Sequence, residues 1–397
     1  MRILYHHRTA SRDGQSTHIE EMISGLRANG HDICESAPTV DGQDSSGGSP
    51  GWVGRIKALL PRPFYELAEL AYSLVAYRRL AQKIRAFKPE GIYERYNLYL
   101  LAGVWAKKRF GMPYVLEVNA PMAVERRKYG GLSLAWLADW AEIYVWRHAD
   151  LILPVTQVLA DYMISKGVDP VRIHVVPNAI NLLHYQDLPS AEAAKADLKL
   201  TGRTVVGFTG FVREWDRLDR IVRWIALRAP SHNVHLLVIG DGPARAEVEQ
   251  CASSLGVADR LTFTGAVPRD RVPALSMAFD IALQTALVPY ASPLCLFEYL
   301  ALSKAIVAPD QPNHHEILTQ GVNAVLYDPN DPAGIEIALD RLATDPTLRS
   351  CVAKAAGKVI ADKKLTWRQH AEKVVGLFSM VAASRHSVAA PLDSAKP

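Results

Sequence analysis

Cysteine is scarce in this chain of 397 residues: Cys34, Cys251, Cys295 and Cys351 are the four, with no C-x-x-C pair among them. That spacing argues against a disulfide framework and a structural zinc site, and it favours a reducing compartment. Long apolar runs are also missing: no stretch reaches the ~18 residues that a membrane-spanning helix needs. The opening MRILYHHRTASRDG turns polar early and lacks the apolar core of a signal peptide. Charge of one sign is in short supply as well. The formal net charge is +4 and the pI about 8.7, too weak an imbalance to argue for a nucleic-acid partner. The expectation is a cytoplasmic chain.

What is present is ordinary globular composition, with 49% hydrophobic and 22% charged residues. At about 100–200 residues per domain the length suggests two domains. RILY near the start reads as a strand, IEEMISGLRANG as a helix stopped by Gly30, and HDI as the next strand, which is the opening of a parallel α/β sheet. A Gly/Ser-rich loop covers 40–51. A long helical region then runs from about Trp52 to Phe87, broken at Pro61 and Pro63. GIYERY, PYVLEVN, DLILPVT and VRIHVVPNAI read as strands, with a Trp-rich helix over 132–148. The pattern then starts again: TVVGFTG, VHLLVIGDGP, RLTFTGAV, DIALQTA and AIVAPD are strands with helices between them, and TWRQHAEKVVGLFSMVAA is one amphipathic helix. One architecture is repeated twice, with a changeover near 183–203. Ligands of such doubly wound folds bind beyond the carboxyl ends of strands, so the loops after strands carry the interest.

Four of those loops hold chemistry. VIGDGP ends a buried strand with Gly240, Asp241 and Gly242 before a helix. Glycines there let backbone approach a ligand and the helix start offers unpaired N–H groups, though a plain strand-to-helix turn reads the same way. FTGFVREWDR places Arg213 and Arg217 after a strand ending at Gly210. A guanidinium meets two phosphate oxygens at once, which suits a diphosphate; surface pairing of Arg213 with Glu214 or Asp216 is the alternative. In YASPLCLFEYLALSKAIVAPD, Ser292-Pro293 reads as the N-cap and first position of a helix that carries Leu294 and Glu298. Glu298 lies between Phe297 and Tyr299, where a charge is costly without a partner. It suits two hydroxyl hydrogen bonds, as from a ribose, or a structural pair with Arg or Lys. In RTASRDGQSTH, Gly14 allows close backbone approach and His18 begins the next helix, as a ligand contact or as a structural histidine.

Taken in order, LRANGHDI, VVPNAI, GFVREWDRLDRIV, VIGDGP, LTFTGAV, SPLCLFEYLALSKAIVAPD and GVNAVLYDPND resemble the GT-B glycosyltransferases, specifically the retaining enzymes of glycosyltransferase family four, the group 1 glycosyl transferases. The likeness spans nearly the whole chain and is strongest in its C-terminal half. It implies an α/β fold of two Rossmann-like doubly wound domains facing across a cleft: an acceptor-binding domain over 1–183, a nucleotide-sugar domain over 184–365, a helix over 366–385 crossing back, and a disordered tail over 386–397. It implies transfer of a sugar from a nucleotide-diphosphate donor to a glycan or lipid-linked acceptor with retention, in cell-surface polysaccharide or glycoconjugate synthesis, without a metal or other cofactor. Arg213, Arg217 and Glu298 take the catalytic places. Gly14, Gly210, Gly240, Asp241, Gly242, Ser292, Pro293, Leu294 and Glu298 fall at the donor, with Glu298 on the ribose. His18, and Glu117 and Asn119 in LEVNAP, fall on the acceptor side; a structural turn before Pro121 is the other reading of that last pair.

Three positions depart from the family pattern. Tyr290 stands where the first of two glutamates eight apart is common, Cys295 where a sub-branch has Lys, and Asp216 or Arg217 where a Lys often follows the diphosphate Arg. A nucleotide-sugar epimerase of the same fold and a non-catalytic nucleotide-sugar-binding protein are the other readings. The segment 52–88 mixes aromatics with Arg55, Lys57, Arg62, Arg78, Arg79, Lys83, Arg85 and Lys88, and RRK follows at 126–128. A basic amphipathic surface of this kind suits anionic lipid, which suggests peripheral contact with the inner face of the cytoplasmic membrane; a merely solvated helix face is the alternative.

Overall fold

The computed structural model describes residues 1–9, 14–38, 61–228 and 232–389. The loop over 40–51, the residues 52–60 with Arg55 and Lys57, and the tail beyond 389 lie outside them. The chain divides into two compact units. The first holds residues 1–178, 290–292 and the C-terminal helix; the second holds 179–289 and 293–366. The stretch 183–203 therefore belongs to the second unit.

In the first unit, β1 (Arg2–His6), α1 (Gly14–Ala28), β2 (Asp32–Ser36), α2 (Arg62–Phe87), β3 (Gly91–Arg95), α3 (Ala102–Phe110), β4 (Tyr114–Val118), α4 (Ala135–His148), β5 (Leu151–Pro154) and α5 (Gln157–Ser165) alternate along the chain. The five strands pair in parallel in the order β2-β1-β3-β4-β5. Every residue of β3, β4 and β5 is buried, as expected where helices cover both faces of a parallel sheet. Pro63 does not break α2. Pro61 sits at its N-cap and Pro63 in its first turn, where a missing N–H leaves no bond unmade. VRIHVVPNAI is not a strand. A short 3₁₀ turn at Pro170–Arg172 leads into two backbone bonds along β5, His174 N to Ile152 O and Val176 N to Pro154 O, and the next donor on that side, Asn178 N, goes to the Ser292 hydroxyl instead.

The second unit runs α6 (Ala191–Asp197), β6 (Thr204–Thr209), α7 (Leu218–Arg228), β7 (Val234–Ile239), α8 (Arg245–Ser254), β8 (Leu261–Phe263), β9 (Ile281–Leu283), α9 (Leu294–Ala301), β10 (Ala305–Pro309), β11 (Val325–Tyr327), α10 (Gly334–Thr344) and α11 (Pro346–Ala356). Its parallel sheet has the order β11-β10-β9-β6-β7-β8. The pattern reading missed β11, a strand of three residues. α12 (Trp367–Ala389) packs with the first unit, on α1. A Cβ on Gly25 would lie 2.7 Å from Trp367 O, so only glycine permits that helix approach.

Candidate functional site

Each sheet has one place where neighbouring strands send their connections to opposite sides, and the crevice there is where doubly wound folds bind ligands. In the second unit it lies between the carboxyl ends of β6 and β9. The side chains after those strands meet α9. Thr209 N, at the end of β6, donates to the Tyr299 hydroxyl at 2.9 Å. Cys295 Sγ donates to Gln284 Oε1 at 3.3 Å, and Thr285 Oγ1 to Asp216 Oδ1 at 3.4 Å. Residues from β6's exit, β9's exit and α9 are therefore brought together, and Glu298 stands among them.

The Glu298 carboxylate makes no hydrogen bond or ion pair among the described residues. Burial of its carboxyl pushes the pKa up to about 7, against which Arg269 pulls down. Cys295, one turn earlier, is pushed up to about 12, by burial first and by the neighbouring Glu298 next. Arg269 lies in the turn after β8. The sequence reading passed over it, although a basic residue at a strand exit was the signal that singled out Arg213. The Ser292-Pro293 cap is corrected by the structure: Pro293 itself is the N-cap of α9 and Leu294 its first residue. The Ser292 hydroxyl instead accepts from Asn178 N at 3.0 Å, and Ser292 O accepts from Asn178 Nδ2. Tyr290 donates its hydroxyl to Glu125 at 2.9 Å, and its carbonyl accepts from Thr156 Oγ1 at 2.9 Å, so it is anchored within the first unit.

The Arg213 guanidinium is exposed and lies over two rings, Phe211 at 5.3 Å and Trp215 at 5.0 Å. No carboxylate among the described residues stands within ion-pair distance of it. Pairing with Glu214 or Asp216 is not what the structure shows. Asp216 is buried and uses its carboxylate to accept Arg213's backbone N–H at 2.8 Å; burial pushes its pKa up, partly offset by that bond. Arg217 is exposed, sits at φ +50°, and pairs with Asp219 at 3.2 Å.

The glycines of VIGDGP have a structural reason of their own. A Cβ on Gly240, at φ +143°, would lie 1.9 Å from Gly210 O, and one on Gly242 would lie 2.1 Å from Val212 O. The loops after β6 and β7 are zipped backbone to backbone, Gly210 N to Ile239 O at 3.0 Å and Val212 N to Asp241 O at 2.9 Å, and glycine is what lets them close. Asp241 holds the turn by accepting Gly242 N at 2.8 Å.

The residues proposed for the acceptor lie in the first unit. Gly14 opens α1, so His18 lies in its second turn and does not begin it. His18, Glu117 and Asn119 do come together, but as a buried network. Glu117 lies within β4 and takes Arg95, the Tyr93 hydroxyl and Asn119, with His18 Nε2 at 2.9 Å. Burial would raise the Glu117 pKa, but His18, Arg95 and Asn119 hold it well below the usual carboxylate range. His18 Nδ1 donates to Asn178 Oδ1 at 2.7 Å, because an amide oxygen can only accept.

Comparison with known proteins agrees with this layout. Residues 13–179 match the family model for the glycosyl transferase 4-like domain and residues 190–359 that for glycosyl transferases group 1. The 2-deoxystreptamine glucosyltransferase of Streptomyces kanamyceticus is 31% identical over 202 residues, covering 46% of this chain and 49% of that enzyme. The chain thus spans about half the length of that relative. The D-inositol 3-phosphate glycosyltransferase of Acidothermus cellulolyticus is 26% identical over 352 residues, covering 81% of this chain and 75% of the relative. Among solved structures, Anabaena HepE in complex with UDP superposes with a TM-score of 0.75 at 18% identity, covering 96% of this chain and all of that one. Two parallel Rossmann-like sheets and two adjoining family matches lead to one conclusion: the chain belongs to the group 1 glycosyltransferases of the GT-B fold.

Proposed function

We propose that the protein transfers a sugar, with retention and without a metal, from a nucleotide-diphosphate donor to a glycan or lipid-linked acceptor. The observation that carries this reading is the pairing of two unmet groups at the β6/β9 crevice. Among the described residues, Glu298 is a half-buried carboxylate with no hydrogen-bond donor, and Arg213 is a stacked guanidinium with no carboxylate at ion-pair distance. A ribose supplies hydroxyl donors to the first, and a diphosphate supplies oxyanions to the second. HepE, solved with UDP, supports a uridine nucleotide as the first donor to try.

In the reaction the acceptor oxygen bonds to the anomeric carbon as the bond from that carbon to the diphosphate breaks. The proton of the acceptor hydroxyl passes to the leaving phosphate on the same face. Negative charge grows on the diphosphate, and a fixed cation there lowers the barrier; Arg213 fills that role, with Arg217 beside it in sequence. Gly210, Gly240, Asp241 and Gly242 shape the backbone around the nucleotide. Pro293 and Leu294 start the helix that presents Glu298. Among the acceptor-side candidates, Asn119 is the one with a partly buried amide at a strand exit; His18 and Glu117 serve it from behind.

Contact with a membrane surface is part of the same reading. No helix of the described residues is long and apolar enough to cross a membrane. The first unit nevertheless exposes Phe64, Leu67, Leu74 and Val75 on α2, and Tyr129, Trp136 and Trp140 near RRK. Phe64 is 60% and Trp136 69% exposed, which is unusual for side chains of that size. Sedimentation with anionic vesicles at low salt is expected to carry the protein down; no sedimentation would remove this element.

The decisive experiment incubates the protein with a panel of nucleotide sugars, with and without acceptors, in the presence of EDTA. Acceptor-dependent release of nucleoside diphosphate, with the product's anomeric configuration preserved, is expected. Conversion of a donor alone marks an epimerase, a melting shift without turnover marks a binding protein, and loss of turnover in EDTA overturns the metal-free mechanism.

A further inference from the structure

The first unit has a crevice of its own. Its strand order turns at β1 and β3, so the ligand position lies beyond the carboxyl ends of those strands. Arg8 follows β1, Tyr99 follows β3, and Arg126 follows β4. Arg8 and Arg126 reach α2 at Glu69, and Tyr99 at Glu66. Arg8 donates to Glu69 Oε1 at 3.2 Å, and Arg126 pairs with Glu69 Oε2. Arg8 lies over the Tyr72 ring at 5.1 Å, and Arg126 over Tyr65 at 5.8 Å and Tyr99 at 5.7 Å.

Two guanidiniums thus share one carboxylate. Neither grips it with two parallel bonds, the arrangement that makes an arginine–carboxylate pair strong. The nearest other acid, Glu66, is occupied elsewhere: it accepts Ser133 N at 2.7 Å, Leu134 N at 2.8 Å and the Tyr99 hydroxyl at 3.2 Å, which caps the start of α4. The side chains of Arg8, Glu69 and Arg126 are 24%, 12% and 23% exposed, so the trio is neither buried structure nor free surface. Ring faces below the two cations hold them flat and leave their outer N–H groups for a further acceptor.

We propose that Arg8 and Arg126 form an oxyanion subsite for the acceptor, with Glu69 as its placeholder, so that the acceptor bears a phosphate or carboxylate. This rests on the reading of the first unit as the acceptor side under Proposed function. An oxyanion with two or three strong acceptor oxygens competes with Glu69 for both cations, and a phosphate competes best because it carries the most charge.

The test is calorimetric titration of the full chain with glucose 6-phosphate, glucuronate and glucose, each with UDP present to fill the other crevice. The phosphate sugar is expected to bind at least about tenfold more tightly than glucose, as for a hydrogen bond to a charged group. Glucuronate in second place assigns the site to phosphate; in first place it assigns it to carboxylate. Arg8→Met and Arg126→Met are each expected to weaken the anionic sugar about tenfold, and Glu69→Gln to tighten it. A trio that merely braces α2 would instead lose melting temperature in all three variants without altering the sugar preference, and that result overturns the proposal. So does equal binding of the three sugars. Titration of the same wild-type sample with UDP and the other nucleoside diphosphates keeps the two readings apart: nucleotide binding without anion preference sinks the subsite alone, whereas no response to any of them sinks the proposed donor site.

Discussion

Replacing Glu298 by Gln tests the site from both its stability and its binding side. The ordinary value for a glutamate is 4.5, and burial in the β6/β9 crevice pushes this one to about 7. The folded chain therefore holds a proton that the unfolded chain has released anywhere between those two values. Where the folded state binds more protons, stability falls as pH rises. At about 1.4 kcal/mol per pH unit, the window from 4.5 to 7 corresponds to about 3 kcal/mol, all of it expressed above pH 7. Gln carries no such cost. The stability difference between Glu298→Gln and the wild type, read by urea unfolding, is expected to grow by about 3 kcal/mol in the variant's favour from pH 4.5 to pH 8. Any offset from the amide's own packing is constant with pH and cancels. UDP binding is expected to move the other way, weakening about tenfold with loss of the charged acceptor for ribose hydroxyls. A stability difference flat with pH refutes the argument for a desolvated, unpartnered carboxyl. Unchanged UDP affinity refutes the ribose role and leaves the stability argument standing.

Gly240→Ala is expected to lower stability by about 3 kcal/mol or more, since its Cβ meets Gly210 O at 1.9 Å in backbone that side chains rarely adopt. Gly30→Ala, at φ +78° in open space, is expected to cost only about 1 kcal/mol, and equal losses in thermal melts would contradict the zipped-loop account. Cys295→Lys places a cation one turn from Glu298 and is expected to return that carboxyl toward 4.5, erasing the pH-dependent penalty; urea unfolding at pH 5 and pH 8 reads this directly. Arg213→Lys keeps the charge but loses the flat face stacked on Phe211 and Trp215. UDP affinity is expected to fall about tenfold while uridine affinity holds, and an equal fall in both would show that Arg213 does not meet the diphosphate.

The doubled α/β pattern is plain in the sequence because parallel strands buried on both faces write continuous apolar runs, as in GIYER and VHLLVI. The exceptions have local causes. VRIHVV has the composition of a strand, but its ladder along β5 stops after two bonds, because Asn178 N goes to the Ser292 hydroxyl. β11 is too short to show a period. Pro63 looked like a break because a proline is read as a breaker until the helix start is known; in the first turn of α2 it is a good residue. His18 reads as a helix start for the same reason, because nothing before it announces that α1 has begun at Gly14.

The site was legible where a residue type stands out against its surroundings and illegible where its partner comes from a distant loop. Glu298 stood out as a carboxylate in an apolar helix, and its isolation is what the structure displays. Arg213 reads in the sequence as a phosphate contact or as the partner of Glu214 or Asp216. A sequence cannot distinguish a carboxylate that meets a guanidinium from one that caps the same residue's backbone N–H, and here the cap forms, which leaves the guanidinium to stack on rings and await an anion. Ser292 and Asn178 are far apart in the chain, so no spacing rule could reveal that the serine hydroxyl is already taken. The three departures from the family pattern then have a common physical sense. Tyr290 is neutral and tied to Glu125, Cys295 is a protonated thiol held by Gln284, and Asp216 is turned inward as a cap. None adds a cation to the crevice, so on the proposed reading compensation of a bound diphosphate falls on Arg213 with Arg217, and on Arg269, the cation that acts on Glu298. On the proposed reading, a site with so few cations among the described residues holds its nucleotide more through hydroxyl contacts than the family pattern implies, which raises the weight carried by the Glu298 carboxylate.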